Sequence, residues 1–200
     1  MSTDRSVGEA MPKELDTRTR ILRAAFDLFV ERTYKKVSVD QVAKKAGVSK
    51  GGLFHHFSSK YELGRDALIW WAEDMMKGSM TDEFQKMPPS EQLRFFIDMS
   101  VDIIVRNVNM GRLVIDLYEE ALERKEDLDV WIKFLTEYVG VVEGIFKQLG
   151  TPNPRMRSMI MLSSMDGFAM YYFMLVATGE KIDMEEVKEE FYRLYMETIE

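Results

Sequence analysis

Apolar residues recur at intervals of three and four along nearly the whole chain, the spacing that places side chains on one face of a helix. Strand-like alternation is not visible, and neither is an internal repeat with a period of about 20–50 residues. The pattern predicts an all-α protein of about nine helices. The predicted segments are about 17–32, 38–46, 49–57, 60–77, 90–107, 112–122, 130–150, 154–177 and 183–199.

The two short segments after residue 37 carry the most local information. Ser38 and Gln41 form the pattern of a capping box, in which the serine hydroxyl takes an unpaired amide at the start of a helix. Gly47 supplies the left-handed backbone conformation that ends a helix. Ser49 can cap the second short helix, which follows at once. The spacing predicts a helix-turn-helix over residues 38–57.

The second short helix has an inner and an outer side. Leu53 and Phe57 are four residues apart and are predicted to point into the core. The opposite side then carries Lys50, Gly51, Gly52, Phe54 and His55. A short helix with such an outward side, held by a glycine turn, is typical of a DNA-reading element.

Around this unit the chain resembles the TetR family of transcriptional regulators. The resemblance rests on TRTRILRAAFDLFVERTY at 17–34 and VSVDQVAKKAGVSKGGLFHHFSSKYEL at 37–63, about the first third of the chain. It implies a three-helix DNA-binding head over residues 16–62, preceded by a loose arm at 1–15. A larger helical body for ligand binding and dimerisation would follow at 63–200.

The resemblance also implies how the head meets double-stranded DNA. The second short helix would enter the major groove, in two copies from a twofold dimer, at a palindromic operator. Lys50 can donate to guanine or to a phosphate, and His55 to a phosphate or a base edge. Ser38 and Lys60 would bind flanking phosphates. The predicted DNA-binding residues are Ser38, Ser49, Lys50, Gly51, Gly52, Phe54, His55 and Lys60.

Three positions in the head depart from the usual family pattern. Many relatives have threonine at the place of Gly52 and tyrosine at the place of Phe54, so two hydroxyls that can contact DNA are missing here. Thr33 stands where the family usually has glycine. Because a β-branched residue disfavours positive φ, this corner is expected to be built differently.

Charge changes along the chain in the direction that DNA binding requires. The net charge is −7, but residues 1–60 hold 12 Lys or Arg against 7 Asp or Glu, and the remainder holds 15 against 27. A basic head on an acidic body favours phosphate binding by one end. The start of the chain has no apolar segment typical of a secretory signal, so a cytoplasmic location is expected. Cysteine is absent, and neither a metal nor a cofactor is expected.

The longest apolar stretch spans residues 159–179 and contains one charged residue, Asp166. Its length approaches that of a membrane span, but the aspartate and two serines argue against one. The resemblance implies instead that the last two helices, about 154–199, pair with their copies in a homodimer. The small residues Ser163, Gly167 and Ala169 would allow the helices to approach closely.

Relatives of this kind hold an effector pocket inside the body, so a small hydrophobic or amphipathic effector is expected. For each candidate residue, plain core packing is the alternative interpretation. Asp166 would supply a polar group either to the pocket or to the dimer interface. The candidates for the lining are Trp70, Trp71, Met75, Phe96, Met99, Tyr118, Trp131, Phe134, Tyr138, Met165, Asp166 and Phe168.

Three functions compete on these observations. The first is a homodimeric repressor that an effector releases from a palindromic operator. The second is an architectural DNA-binding protein without sequence choice, which the acidic body disfavours. The third is an all-α enzyme, and it has little support. Only two histidines are present, both in the head, and neither a phosphate-binding glycine loop nor a GxSxG motif is found.

Overall fold

The computed structural model describes residues 16–125 and 128–196, apart from the side chains at 78, 79 and 108. The arm predicted at 1–15 and the predicted end of the last helix lie outside these residues. Within the described ranges the chain is helical and contains no strand, so the all-α prediction is confirmed. The helices are α1 Thr17–Arg32, α2 Val39–Ala46, α3 Lys50–His56, α4 Lys60–Ser79, α5 Asp82–Lys86, α6 Pro89–Arg106, α7 Val108–Arg124, α8 Leu128–Gln148, α9 Pro154–Thr178 and α10 Met184–Met196.

The described residues form ten α-helices instead of the predicted nine, and one helix boundary lies at a different residue. The segment expected to be a link contains the short helix α5, because the Thr81 hydroxyl accepts a hydrogen bond from the Phe84 amide and caps it. The break expected at Gly111 lies instead at Asn107, whose side chain donates to the Ile103 carbonyl at 3.1 Å and covers the end of α6. Gly111 lies inside α7, since one glycine costs a helix only about 1 kcal/mol.

Contacts divide the chain into two compact units, Met1–Trp71 and Ala72–Glu200. The first unit, called the head below, is built on α1, whose apolar face includes the buried residues Ile21, Ala25 and Phe29. Phe26 stacks on Trp71 with the ring centroids 4.8 Å apart. The head therefore buries a core of its own within α1–α3 and the first part of α4.

The corner after α1 is occupied by a strained threonine. Thr33 has φ 71° and ψ 142°, a region that L-residues rarely adopt. Thr33 therefore adopts a positive φ despite its β-branched side chain, and a corner that differs from that of relatives stays a prediction. The turn lets Tyr34 become buried with its ring edge against Phe29, at a centroid distance of 5.1 Å.

We expect Thr33→Gly to stabilise the head by about 1 kcal/mol, because glycine relieves strain of about 1–3 kcal/mol and loses part of the gain to its freer unfolded chain. The melting temperature should rise by about 4–8 °C for a unit of this size. Thr33→Ala is the matched control, since it keeps a Cβ at the same φ and should give no such gain. Equal melting temperatures for the glycine and alanine variants would contradict the presence of strain.

The second unit, called the body below, packs α6, α8, α9 and α10 around one apolar core. Phe96, Ile97, Phe146 and Met161 are among its buried members. Arg94 of α6 makes a bidentate ion pair with Glu189 of α10, at 2.7 and 3.2 Å. These bonds join α6 to α10 at the surface of the body.

Candidate DNA-binding site and body surfaces

The start of α2 is held by the predicted capping box, which is confirmed. The Ser38 hydroxyl accepts a hydrogen bond from the Gln41 amide at 3.3 Å, and the Gln41 side chain accepts one from the Ser38 amide at 2.8 Å. Two amides that a helix start would leave unpaired are thereby satisfied. The local sequence alone positions this helix end.

The turn between α2 and α3 depends on Gly47. Its φ of 70° and ψ of 36° are left-handed, as predicted from the sequence. This conformation lets the Val48 amide reach the Ala43 carbonyl at 3.0 Å and the Gly47 amide reach Lys44 at 3.3 Å. The carbonyls at the end of α2 are thus paired while the chain reverses direction.

Helix α3 has one buried and one exposed side, as its spacing predicts. The Ser49 hydroxyl caps it by accepting from the Gly52 amide at 3.0 Å. Leu53 and Phe57 are each only 1% exposed, whereas Phe54 is 43% exposed. Lys50, Gly51 and His55 are also exposed. An aromatic ring, an imidazole and an ammonium group therefore lie together on the outer side of a short helix.

Gly52 is half-buried, and its surroundings limit what can replace it. A Cβ at this position would lie 3.2 Å from the Ser49 hydroxyl oxygen, the atom that caps α3. A threonine here, as many relatives have, would require this cap to shift by a few tenths of an ångström. The glycine thus keeps the cap undisturbed.

One of the predicted phosphate ligands, Lys60, is engaged within the head. The Lys60 ammonium donates to the Tyr34 carbonyl at 2.6 Å and lies 4.3 Å from the centroid of the Tyr34 ring. A phosphate contact by Lys60 would therefore compete with this carbonyl. Ser38, by contrast, is exposed at the start of α2, where its hydroxyl accepts from Gln41.

Sequence reasoning missed the partners that connect the helices of the head. The Arg20 guanidinium donates to the Ala46 carbonyl at 3.3 Å, which joins α1 to the end of α2. Lys50 of α3 forms an ion pair with Asp40 of α2 at 3.0 Å. The signal available in the sequence was weak, because each pair joins residues ten or more positions apart.

Five of the candidate pocket residues form a connected row of rings in the body, called the aromatic row below. Tyr118 and Trp131 have centroids 4.9 Å apart, and Trp131 lies 6.5 Å from Phe134. Phe134 stacks on Tyr138 at 6.3 Å, and Tyr138 lies 6.1 Å from Phe96. The row runs across α6, α7 and α8. Because Phe134 is half-buried, the row combines core packing with accessible surface.

Asp166 of α9 lies within electrostatic range of this row. The residue is exposed, but neighbouring protein atoms remove part of the hydration of its carboxylate. This partial burial raises the pKa of the carboxyl group. Burial also raises the pKa of Tyr118 and raises that of Tyr138 to about 12, and the Asp166 charge adds to both shifts. An exposed carboxylate within electrostatic range of two phenols can accept a hydrogen bond or bind a cation.

The other candidate pocket residues are distributed over both units. Trp70 and Trp71 belong to the head, where both are half-buried. Met75 and Met99 are half-buried, and Met165 is part of the body core. Phe168 has its ring 5.8 Å from that of Phe191 on α10. Among the described side chains, no group of three His, Cys, Asp or Glu is placed to hold a metal ion.

One face of α9 is apolar and exposed. Its residues recur at intervals of three and four and are called the α9 stripe below. Gly167 lies within it, and a Cβ at this position would meet no atom within 4 Å. Alone among the described helices, α9 is long and apolar enough to cross a membrane, a weak criterion that core helices of soluble proteins also meet. The stripe consists of Met156, Met159, Ile160, Ser163, Gly167, Met170, Tyr171 and Met174.

The geometry of α2 and α3 defines a helix-turn-helix domain of the DNA-binding class. The family described as bacterial regulatory proteins, tetR family, matches residues 21–66. The resemblance predicted from the sequence is confirmed, and the chain carries the N-terminal domain of the TetR-family regulators.

Similar proteins extend the comparison beyond the head. The HTH-type transcriptional activator FasR of Mycolicibacterium smegmatis is 30% identical over 130 residues, 65% of this chain and 58% of FasR. A putative TetR-family regulator from Rhodococcus sp. has a TM-score of 0.74 at 17% identity, over 92% of this chain and 98% of that one. AibR, in complex with isovaleryl coenzyme A and operator DNA, has a TM-score of 0.61 at 20% identity, over 90% and 97%. The two structures show that the fold extends over the body.

Proposed function

We propose that this protein is a homodimeric, sequence-specific DNA-binding regulator of transcription that an amphipathic small molecule controls. The observation that carries the proposal is the outer side of α3, where Lys50, Phe54 and His55 are exposed beside a firmly capped turn. Inserted in a major groove, these groups can reach base edges and phosphates. The matched family and FasR, which is named a transcriptional activator, support the same reading.

The polar groups of the head divide into two roles. Lys50 would donate to guanine O6 and N7, and His55 would contact a base edge or a phosphate. Ser38, Ser49 and the backbone at Gly51 and Gly52 would lie against the phosphates that fix the register of the head. In this assignment Lys60 supports the turn through Tyr34, and it binds a phosphate only if it gives up its hydrogen bond to the Tyr34 carbonyl.

A second copy of the same chain is the proposed occupant of the α9 stripe. The stripe is long and apolar, and the open surface at Gly167 permits a close approach of two helices. A bilayer is the poorer occupant, because Ser163 lies within the stripe and Asp166 beside it. A twofold dimer would also present two α3 helices, as a palindromic operator requires.

The proposed effector is amphipathic, with an apolar chain that the body encloses. The aromatic row offers rings for the apolar part, and Asp166 offers an acceptor at its edge. Acyl thioesters of coenzyme A are the first class to examine, because the similar structure of AibR contains isovaleryl coenzyme A. Effector binding would change the separation of the two heads and release the operator, the behaviour of a repressor.

An architectural protein without sequence choice is the second candidate. A basic head without a specific reading surface would favour it. The acidic body opposes DNA wrapping, and the relatives are named as regulators rather than as enzymes or packaging proteins.

Cytoplasmic location follows from the proposed function, since the operator is there in a bacterium.

Selection of bound duplexes from a random DNA pool tests the proposal. We expect recovery of one inverted repeat whose half-sites lie about one helical turn apart. The selection should be repeated at low and near-physiological salt. Unselective binding that disappears with salt would contradict sequence reading, because only phosphates would then be held.

The recovered operator then serves to test the effector. We expect long-chain acyl-coenzyme A to release the protein from a labelled operator, with free coenzyme A as the control for the shared head group. Release by both compounds equally would contradict an apolar binding site. Tighter operator binding with the acyl thioester would contradict release of the operator by the effector.

A further inference from the structure

Both histidines of the chain are adjacent residues in the last turn of α3, and they are called the histidine pair below. The rings of His55 and His56 meet edge to face with their centroids 5.5 Å apart. His55 is exposed, whereas His56 is half-buried with its ring centroid 6.3 Å from that of Phe57. The pair therefore reaches the surface that the proposed function assigns to DNA.

Neither imidazole of the pair has a hydrogen bond or an ion pair within the part of the chain that the structure describes. The carboxylates of residues 16–71 are engaged by other groups. Their partners are Thr19 for Asp16, Lys45 for Asp27, Arg32 for Glu31, Lys50 for Asp40, Ser58 for Glu62, and both Arg18 and Arg65 for Asp66. A positive charge on the histidine pair would therefore find no vacant anion in this part of the head.

The charged groups that contact α3 or the residues at its ends come from three neighbouring helices. Arg18 of α1 has its guanidinium carbon 5.2 Å from the centroid of the Phe57 ring. Asp40 of α2 binds Lys50 at the opposite end of α3 from the pair. Glu62 of α4 accepts a hydrogen bond from the backbone amide that follows Phe57. These groups are two cations and two engaged carboxylates, so the balancing anion has to come from a ligand.

DNA can supply this anion. An imidazole becomes a cation when it binds a proton, and histidine is the side chain that ordinarily does so near neutral pH. We propose that the histidine pair takes up a proton when α3 binds DNA and holds a backbone phosphate as an imidazolium, so that the affinity for DNA rises as the pH falls. The inference rests on the proposed function, because it assumes that α3 lies against DNA.

Two properties of this contact follow from its chemistry. Two imidazolium ions with centroids 5.5 Å apart would repel each other, so the pair takes up at most about one proton per head. Every DNA sequence presents the same phosphates, so the contact adds affinity to operator and non-operator DNA alike. Because the bound state holds more protons than the free state, acid favours binding.

Fluorescence anisotropy of the full chain measures this linkage on the selected operator and on a scrambled duplex of equal length. From about pH 8 to about pH 6, the affinity of the wild-type protein should rise at least about tenfold on both duplexes. The slope of log K against log salt should be steeper by about one per head at the lower pH. The double variant His55→Gln, His56→Gln should lose both effects, because it contains no histidine.

Lys50→Gln is the matched control, because it removes a cation from the same helix and keeps both histidines. It should weaken binding by a similar factor at both pH values and leave the pH dependence unchanged. If the double variant has a lower melting temperature, calorimetric titration of the wild-type protein with the operator counts the protons directly. In two buffers of different ionisation enthalpy, it should report a net uptake of at most about one proton per head.

Three outcomes would contradict the inference, and a fourth would contradict the function beneath it. Equal wild-type affinities at the two pH values, or no proton uptake by calorimetry, would overturn the proton linkage. A pH dependence that the double variant retains would remove the histidine pair from it. A pH effect confined to the operator would contradict a phosphate contact. Equal affinity for operator and scrambled duplex at both pH values would instead overturn sequence reading and leave the linkage intact.

Discussion

Replacing Met170 and Met174 together by glutamate is expected to convert the proposed dimer into a monomer and to weaken operator binding by at least about 100-fold. Both side chains are exposed on the α9 stripe. In a twofold interface, each new glutamate would face either an apolar surface of the partner copy or a glutamate of the same charge. A monomer has only one head. In the dimer, binding of the first head holds the second head close to its half-site, and this gain in affinity is lost in the monomer. Analytical ultracentrifugation and operator anisotropy would measure the two effects.

Leu122→Glu is the matched control for this prediction. Leu122 is 65% exposed, so it is also a large apolar side chain on the body surface, but it lies on α7 outside the stripe. We expect the control to leave both the mass in solution and the operator affinity unchanged. A dimer that survives in the double variant would place the interface elsewhere. A monomeric wild-type protein would overturn the proposed assembly.

Leu53→Ala is expected to lower the free energy of unfolding of the head by about 3 kcal/mol, within the range of about 2–5 kcal/mol for a buried leucine. Leu53 is 1% exposed and is the inner anchor of α3. Because the head is a compact unit of its own, the loss should appear as faster hydrogen exchange of the α2 and α3 amides, with little change in the body. Operator binding should be lost with the fold of α3.

Phe54→Ala tests the adjacent, exposed position on the same helix. Its ring is 43% exposed, so the substitution should change the stability of the head by less than about 1 kcal/mol. Operator affinity should nevertheless fall, because the ring is on the proposed reading surface. Equal destabilisation by the two substitutions would contradict the described orientation of α3. Unchanged operator affinity in Phe54→Ala would remove this ring from the interface.

The head could be predicted because its determinants are local. A capping serine, a glycine turn and an inward pair at i and i+4 act within a few residues of one another, so the sequence of α2 and α3 carries its own geometry. The exception is Thr33, whose positive φ conflicts with its residue type. The residue type of Thr33 argues against this conformation, so the sequence did not predict it, whereas the folded chain places the next residue, Tyr34, in the core.

Ion-pair partners could not be predicted in the same way. The sequence predicts that Lys50 and Lys60 contact DNA, but it does not predict their partners in the head, which are Asp40 and the Tyr34 carbonyl. Long, flexible side chains reach whichever acceptor the fold brings near them. The sequence places the charge on a helix, but the packing of helices chooses the acceptor.

The sequence by itself determined the helical class, the helix-turn-helix and the inner and outer sides of α3. It could not determine the surfaces of α9, because a helix that is apolar on nearly every side carries no periodic signal. Only the packing of α6, α7 and α8 against one side of α9 decided that Met161 and Met165 are core while Met170 and Met174 are exposed. The physical reason is that burial depends on neighbours distant in the chain, whereas a cap or a turn depends on the next four residues.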